Sequence, residues 1–315
     1  MSRTTGALGK KTRVILDAVQ SFVSPDNPVS VRYCLYRLIS MGILESTTEY
    51  GNLNRLIMQA RVRGDISDDC FVDNKRRTTV PSTWTSLQEY RQWCVEIYRR
   101  DYWEEQPNHV EVWLEKDTTS FIVDRTTREW GVPLRVSTGY FSRSFLYSIA
   151  DELSDNIKPI YIFYIGDFDP SGLDIERCAR EGNGLQGSRR REGLRDILLS
   201  QMAWTASDFD EQIHWQRIGI MKSDFDELPE SAKVDVKQDG EDEDGAFKKG
   251  DPRGPAFMAE YGEFGAEVEA LEVVQEGRLA QRVEDAIKRH IDFDIWNASI
   301  ENEKRDRETL EQDAA

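Results

Sequence analysis

The stretch PIYIFYIGDFDPSG, residues 159–172, narrows the folds open to this chain more than any other. Residues 160–165 are an unbroken run of aliphatic and aromatic side chains without polar alternation. A strand of that kind is buried on both faces, which places it centrally in a parallel sheet covered by helices on each side. The rest of the segment turns into a helix beginning near Gly172. Around it, HVEVWL (109–114), PLRVS (133–137) and WQRIGIM (215–221) read as further strands, and 117–130, 142–153 and 194–204 as helices. The order βαβαβαβ predicts a small parallel sheet with right-handed crossovers, hence an α/β fold.

Upstream the pattern is helical. Residues 11–22 carry Val14, Ile15, Val19 and Phe22 at helical spacing and stop at SPDNP; a second helix runs from the cap Ser30 to Ile39; a third spans 50–62 and ends at Gly64. The segment 65–80 reads as an irregular hairpin, and with the helices before it suggests a winged helix-turn-helix unit over 1–83. An aromatic-rich helix over 84–106 is expected to bridge to the second unit, 107–300, with its tryptophans and tyrosines used mainly for packing. Residues 235–256, rich in charge, Gly and Pro, read as a loop; 267–274 and 278–297 read as helices, and 301–315 as a charged tail frayed at its end.

Charge is divided unevenly. The net charge of −17 argues against phosphate contact, yet residues 1–100 hold fifteen Lys and Arg against ten Asp and Glu, a balance of +5 that leaves −22 for the remainder. A basic first third can face an anion. Arg37, Arg55, Arg61, Arg63, Lys75, Arg76 and Arg77, with Lys116 further on, are the candidate phosphate contacts, suited to positioning DNA rather than reading bases. Cys34, Cys70, Cys94 and Cys178 lack zinc-site spacing and are expected to be reduced thiols. No run of apolar residues is long enough to span a membrane, and the N-terminus lacks the apolar centre of a secretory signal, so a cytoplasmic location is expected.

Ligands of open parallel sheets bind outside the carboxyl ends of the strands. Glu115 follows the first strand directly, and Asp167 and Asp169 follow the central one. Three carboxylates brought together there repel one another unless a hard cation lies among them, and Mg²⁺ (or Mn²⁺) is the natural one. In the N-terminal unit, Arg32 and Tyr36 stand four residues apart and share a helix face, so one phosphate can meet both.

The acids, with DFDPSGLDI and its Pro170, Gly172 and Ile175, resemble the Toprim domain, in the form found in the A subunit of topoisomerase VI and its relatives, which include the meiotic double-strand-break transesterase. The segments VRYCLYRLISMGI, NLNRLIMQARVRGDI and EVWLEKDTTSFIV are similar to the small standalone relatives called topoisomerase Mini-A. The resemblance covers roughly residues 25–300 in element order. It implies a winged-helix unit followed by a Toprim unit, with Glu115, Asp167 and Asp169 as metal ligands and Glu115 also as general acid or base. Tyr36 takes the catalytic tyrosine position of the family motif, Leu35 replaces its first tyrosine, and Tyr33 lies outside it. Ala266 to Leu271, AEVEAL, are similar to an element that usually ends in Asp-Ala-Leu, with Glu269 in the Asp place.

The resemblance further implies a homodimer in which the tyrosine of one subunit meets the metal of the other. The expected activity is Mg²⁺-dependent transesterification of duplex DNA, leaving a 5′-phosphotyrosyl link. A hydrolytic Toprim nuclease and a non-catalytic DNA-binding subunit are the alternatives. No GKS or GKT loop occurs, so no ATP site is expected in this chain, and strand passage would call for a separate ATPase partner.

Overall fold

The computed structural model describes residues 9–25, 28–71, 81–185, 190–236, 240, 241, 247, 248 and 250–314. Helices α1 (Lys10–Phe22), α2 (Val31–Ser40) and α3 (Tyr50–Arg63) pack around Leu16, Val19, Leu35, Leu38, Leu53 and Ile57. Ser30 caps α2 by accepting the Tyr33 N–H at 3.1 Å, and Gly64, at φ +82°, closes α3 in a conformation that glycine adopts without strain. The chain leaves this unit through a parallel bridge between Val29 and Phe71. Residues 72–80 of the expected wing, with Lys75, Arg76 and Arg77, lie outside the described residues.

The second unit is built on a parallel sheet of β1 (His109–Leu114), β2 (Leu134–Val136), β3 (Ile160–Ile165) and β4 (Ile213–Arg217), in the order β2-β1-β3-β4. The run 160–165 is indeed central and covered on both sides. Phe163 and Ile165 face a core with Val110, Val112 and Leu114; Ile160, Ile162 and Tyr164 face another with Trp113. Helix α5 (Ser120–Glu129) joins β1 to β2, while α6 (Arg143–Ser154) joins β2 to β3, crossing back over β1. Helices α7 (Pro170–Glu181), α8 (Leu194–Gln201) and α9 (Ala206–Gln212) lead on to β4.

Crossovers of one hand put connections running in opposite directions on opposite faces. Accordingly Val123 of α5 lies in one core, and Leu146 of α6, Ala179 of α7 and Leu198 of α8 in the other. The face beneath β3 and β4 on the α5 side is covered by α12 (Arg278–Lys288) through Leu279, Val283 and Ile287.

Several expectations are corrected. The last strand spans 213–217 rather than 215–221, because Ile218 and Gly219 turn back to donate to Tyr164 O. The helix expected over 84–106 is α4 (Leu87–Ile97), and it lies on α13 (Phe293–Ala314) rather than between the two units. The expected frayed tail is the second half of α13, held by Arg307 donating to Val95 O (3.0 Å) and by Tyr98 donating to Asp306 (2.6 Å). The helix expected over 278–297 breaks at His290–Asp292, where Asp292 Oδ1 accepts the N–H groups of Asp294 and Ile295 and starts a new helix. Part of the supposed 235–256 loop belongs to a helix, α10 (Gly254–Tyr261), and 267–274 is a 3₁₀ turn followed by the short α11 (Leu271–Val274). All four cysteines are free thiols. No helix among the described residues is long and apolar enough to cross a membrane.

Candidate functional site

The strand order reverses direction between β1 and β3, and the carboxyl ends of that pair are where such sheets bind ligands. Leu114 pairs with Ile165, so Glu115 and Gly166 leave the sheet side by side. Glu115 Oε2 then accepts the Asp167 N–H at 3.2 Å and the Tyr164 hydroxyl at 3.4 Å. Register alone therefore joins two of the three acids named from the sequence. Burial, together with the charge of Asp169, raises Glu115 above the ordinary carboxylate range, against the pull of Lys116.

The third acid has a different duty. Asp169 caps α7, its Oδ1 accepting the Gly172 N–H at 2.7 Å. A Cβ on Gly172 would stand 2.3 Å from the Asp167 carbonyl oxygen, so the helix start can press against the acidic loop only without a side chain there. Gly172→Ala is expected to lower stability by about 1–3 kcal/mol, seen as a drop in melting temperature; an unchanged melt would show that the loop yields freely.

Between Asp167 and Asp169, Phe168 pairs antiparallel with Ala266 through two 2.9 Å backbone bonds. That bridge lays the segment 266–269 beside the strand ends, where Asp167 Oδ1 accepts the Val268 N–H at 2.9 Å. Glu267 and Glu269 flank Val268 and enter the site with it. Arg217 holds the loop from beneath by donating to the carbonyls of Gly166 (2.7 Å) and Asp167.

Glu267 joins the two units. Its Oε2 accepts the Tyr36 hydroxyl at 2.7 Å, and Arg32 grips the same carboxylate through Nη2 to Oε1 (2.5 Å) and Nε to Oε2 (3.1 Å). Lys116 Nζ forms an ion pair with Asp167 and lies 3.7 Å from Glu267 Oε1. Tyr36 does not pack against Leu53 or Ile57; its ring belongs to the core of the α/β unit and is 0 % exposed. Burial, then the charges of Glu267 and Glu269, push its phenol well above the ordinary tyrosine value. Burial opposes charge on Lys116 as well, but Asp167, Glu269 and Glu267 outweigh it and hold the ammonium above its usual range. Glu267, though buried, is kept below the carboxylate range by Lys116 and Arg32. Asp167 is pushed up to about 8 by burial and the neighbouring carboxylates, in spite of Lys116.

The remaining candidates lie elsewhere. Arg37 pairs with Glu276 (2.7 Å), Arg61 with Asp68 (2.6 Å) and Arg63 with Asp65 (2.7 Å), while Arg55 donates to Asn52 (2.7 Å). Lys116, read as a phosphate contact, is an internal counter-ion here. Tyr33 packs edge-on against Phe22 and Phe121. Glu267 was not singled out from the sequence. Its only local signal is the alternation of two acids in AEVEAL, which acquires meaning once Ala266 pairs with Phe168.

Among the described residues, no group of three or more His, Cys, Asp or Glu side chains is gathered to hold a metal ion. The donors nonetheless fit a hard cation in kind. They are carboxylate oxygens at one sheet end; Glu269 is 2 % exposed, its Oε1 accepts from Thr118 at 2.6 Å, and its Oε2 has no hydrogen-bond partner among the described residues. Comparison with protein-family models, with curated proteins and with solved structures found no match.

Proposed function

We propose that this protein is a Mg²⁺-dependent DNA-cleaving enzyme, built as a winged-helix unit and a Toprim-like unit, that joins Tyr36 to a 5′ phosphate. The observation that carries this reading is the meeting of Tyr36 and Arg32, from one unit, with Lys116 and the strand-end acids of the other, through the single carboxylate of Glu267. Two side chains four residues apart on α2 thus converge on one acid at the sheet end.

In the proposed step the Tyr36 oxygen, released from Glu267, bonds to phosphorus and its proton passes to water. The P–O3′ bond breaks, and the leaving 3′ oxygen takes a proton from Glu115, the general acid of the proposed step. One phosphoester replaces another, so the step is reversible. Arg32 balances charge on the phosphate as it develops. Glu115, Asp167 and Asp169 would hold Mg²⁺, with Glu269 as a further oxygen donor; when bound, the ion would stabilise negative charge on the phosphate oxygens. Since the Tyr36 hydroxyl is fully buried, DNA must part α2 from residues 267–269 before attack, taking Arg32 from Glu267. Duplex DNA as substrate, a homodimer and a separate ATPase for strand passage belong to the same proposal.

Burial of that hydroxyl favours one second reading, a nuclease at the same acids that uses water. The test is to incubate the protein with labelled supercoiled DNA and Mg²⁺ or Mn²⁺, stop with denaturant and look for protein-linked DNA. A covalent adduct in the wild type, lost in Glu115→Ala, is expected; nicked DNA free of protein would establish the hydrolytic reading in its place.

A further inference from the structure

A pocket of about 460 Å³ opens where Phe141, Ser142 and Arg143 meet Arg190, Arg191 and Glu192. Its floor is the start of α6, a twelve-residue helix capped by Ser142, whose first N–H groups give that end a positive potential. Arg143 and Arg190, with side chains 58 % and 50 % exposed, both pair with Glu192. The Arg191 guanidinium lies 4.0 Å from the centre of the Tyr140 ring. Three guanidinium groups against one carboxylate leave this spot at +2 in a chain of −17.

The pocket is tied to the acidic site. Tyr140, under Arg191, donates to Asp174 Oδ2 at 2.5 Å and accepts from Arg253 Nη1 at 2.8 Å, and Arg253 Nη2 donates to Ser171 Oγ at 2.8 Å, two residues beyond Asp169. A duplex lying across the strand ends would bring its backbone past both. Glu192 lowers the pull on a highly charged free anion, while the remaining +2 suits a singly charged phosphodiester.

We infer that the Arg143–Arg190–Arg191 pocket holds a backbone phosphate of duplex DNA away from the cleavage position. This rests on the DNA-cleaving reading and adds a phosphate seat outside the basic N-terminal unit. The test is fluorescence anisotropy of labelled duplex DNA over a salt series. The Arg143→Ala/Arg190→Ala variant should bind about 10-fold or more weakly, and the slope of log K against log salt should fall by about 1–2. The Arg143→Lys/Arg190→Lys variant should keep the wild-type slope, and Arg128→Ala, at an arginine 79 % exposed on α5, should bind as the wild type does.

Wild-type affinity and slope in the alanine variant, with an unchanged melting temperature, would overturn the inference and leave the DNA reading standing. Failure of the wild type itself to bind duplex at low salt would overturn both. Loss of AMP binding in the alanine variant with DNA binding intact would assign the pocket to a free mononucleotide and overturn the inference.

Discussion

Tyr36→Phe is expected to reduce covalent protein–DNA adduct by on the order of 10⁴-fold or more, because the proposed step forms its new bond at the phenolic oxygen that this change removes. The fold should survive. Phe keeps the ring in the core that Tyr36 shares with the α/β unit, and Glu267 stays bonded to Arg32 and near Lys116. Loss of the one hydroxyl bond costs about 1 kcal/mol, so adduct and melting temperature measured on the same preparation separate chemistry from unfolding. Nicking that persists in Tyr36→Phe, with no adduct in either protein, would transfer the chemistry to water.

Arg135→Ala should have the largest effect on stability. Glu111 sits in the middle of β1 at 0 % exposure, a charge inside the sheet's α6-side core. Arg135 Nη2 donates to its Oε1 at 2.8 Å and Nε to its Oε2 at 3.3 Å, with Trp113 Nε1 (2.8 Å) and His109 Nε2 (3.2 Å) completing the shell. Removing one partner of a buried pair leaves the other charge uncompensated, at about 3–5 kcal/mol, a fall in melting temperature on the order of 10 °C.

The pH response carries the signature. Burial alone would raise Glu111, but His109 and Arg135 hold it below its ordinary value. A depressed carboxyl stabilises the fold above the unfolded pKa of 4.5, and that contribution is lost as pH falls through the folded value. Without Arg135 burial prevails, the carboxyl rises, and acidification should recover stability as Glu111 takes a proton. Glu111→Gln in the same background should recover it at neutral pH. A single variant within about 1 kcal/mol of wild type, or with the wild-type pH slope, would refute this account.

Much of the frame was legible because local patterns determine it. The unbroken run 160–165 could only be a strand covered twice, and β3 is that strand. Glu115 and Asp167 each directly follow or nearly follow a strand end, so in-register parallel pairing had to bring them together. The four-residue spacing of Arg32 and Tyr36 put both on one face of α2, and both reach the same carboxylate. What failed was read from composition. Residues 301–314 are polar, as frayed ends are, yet α13 is held by Val95 and Tyr98, far off in sequence. Lys116, a candidate phosphate contact, forms an ion pair with Asp167, a partner 51 residues on that only folding brings to it.

The sequence by itself determined the βα alternation around the central strand, which faces are apolar, and that acids stand at the strand ends, since all of these depend on neighbours within a few positions. Only the tertiary structure decided that Tyr36 faces the α/β unit and that Glu267, 231 residues away, accepts the hydrogen bond of its hydroxyl. That pairing follows from the Phe168–Ala266 bridge and the docking of α2 on residues 267–274, contacts whose energy comes from packing between distant segments and leaves no periodic trace in either one.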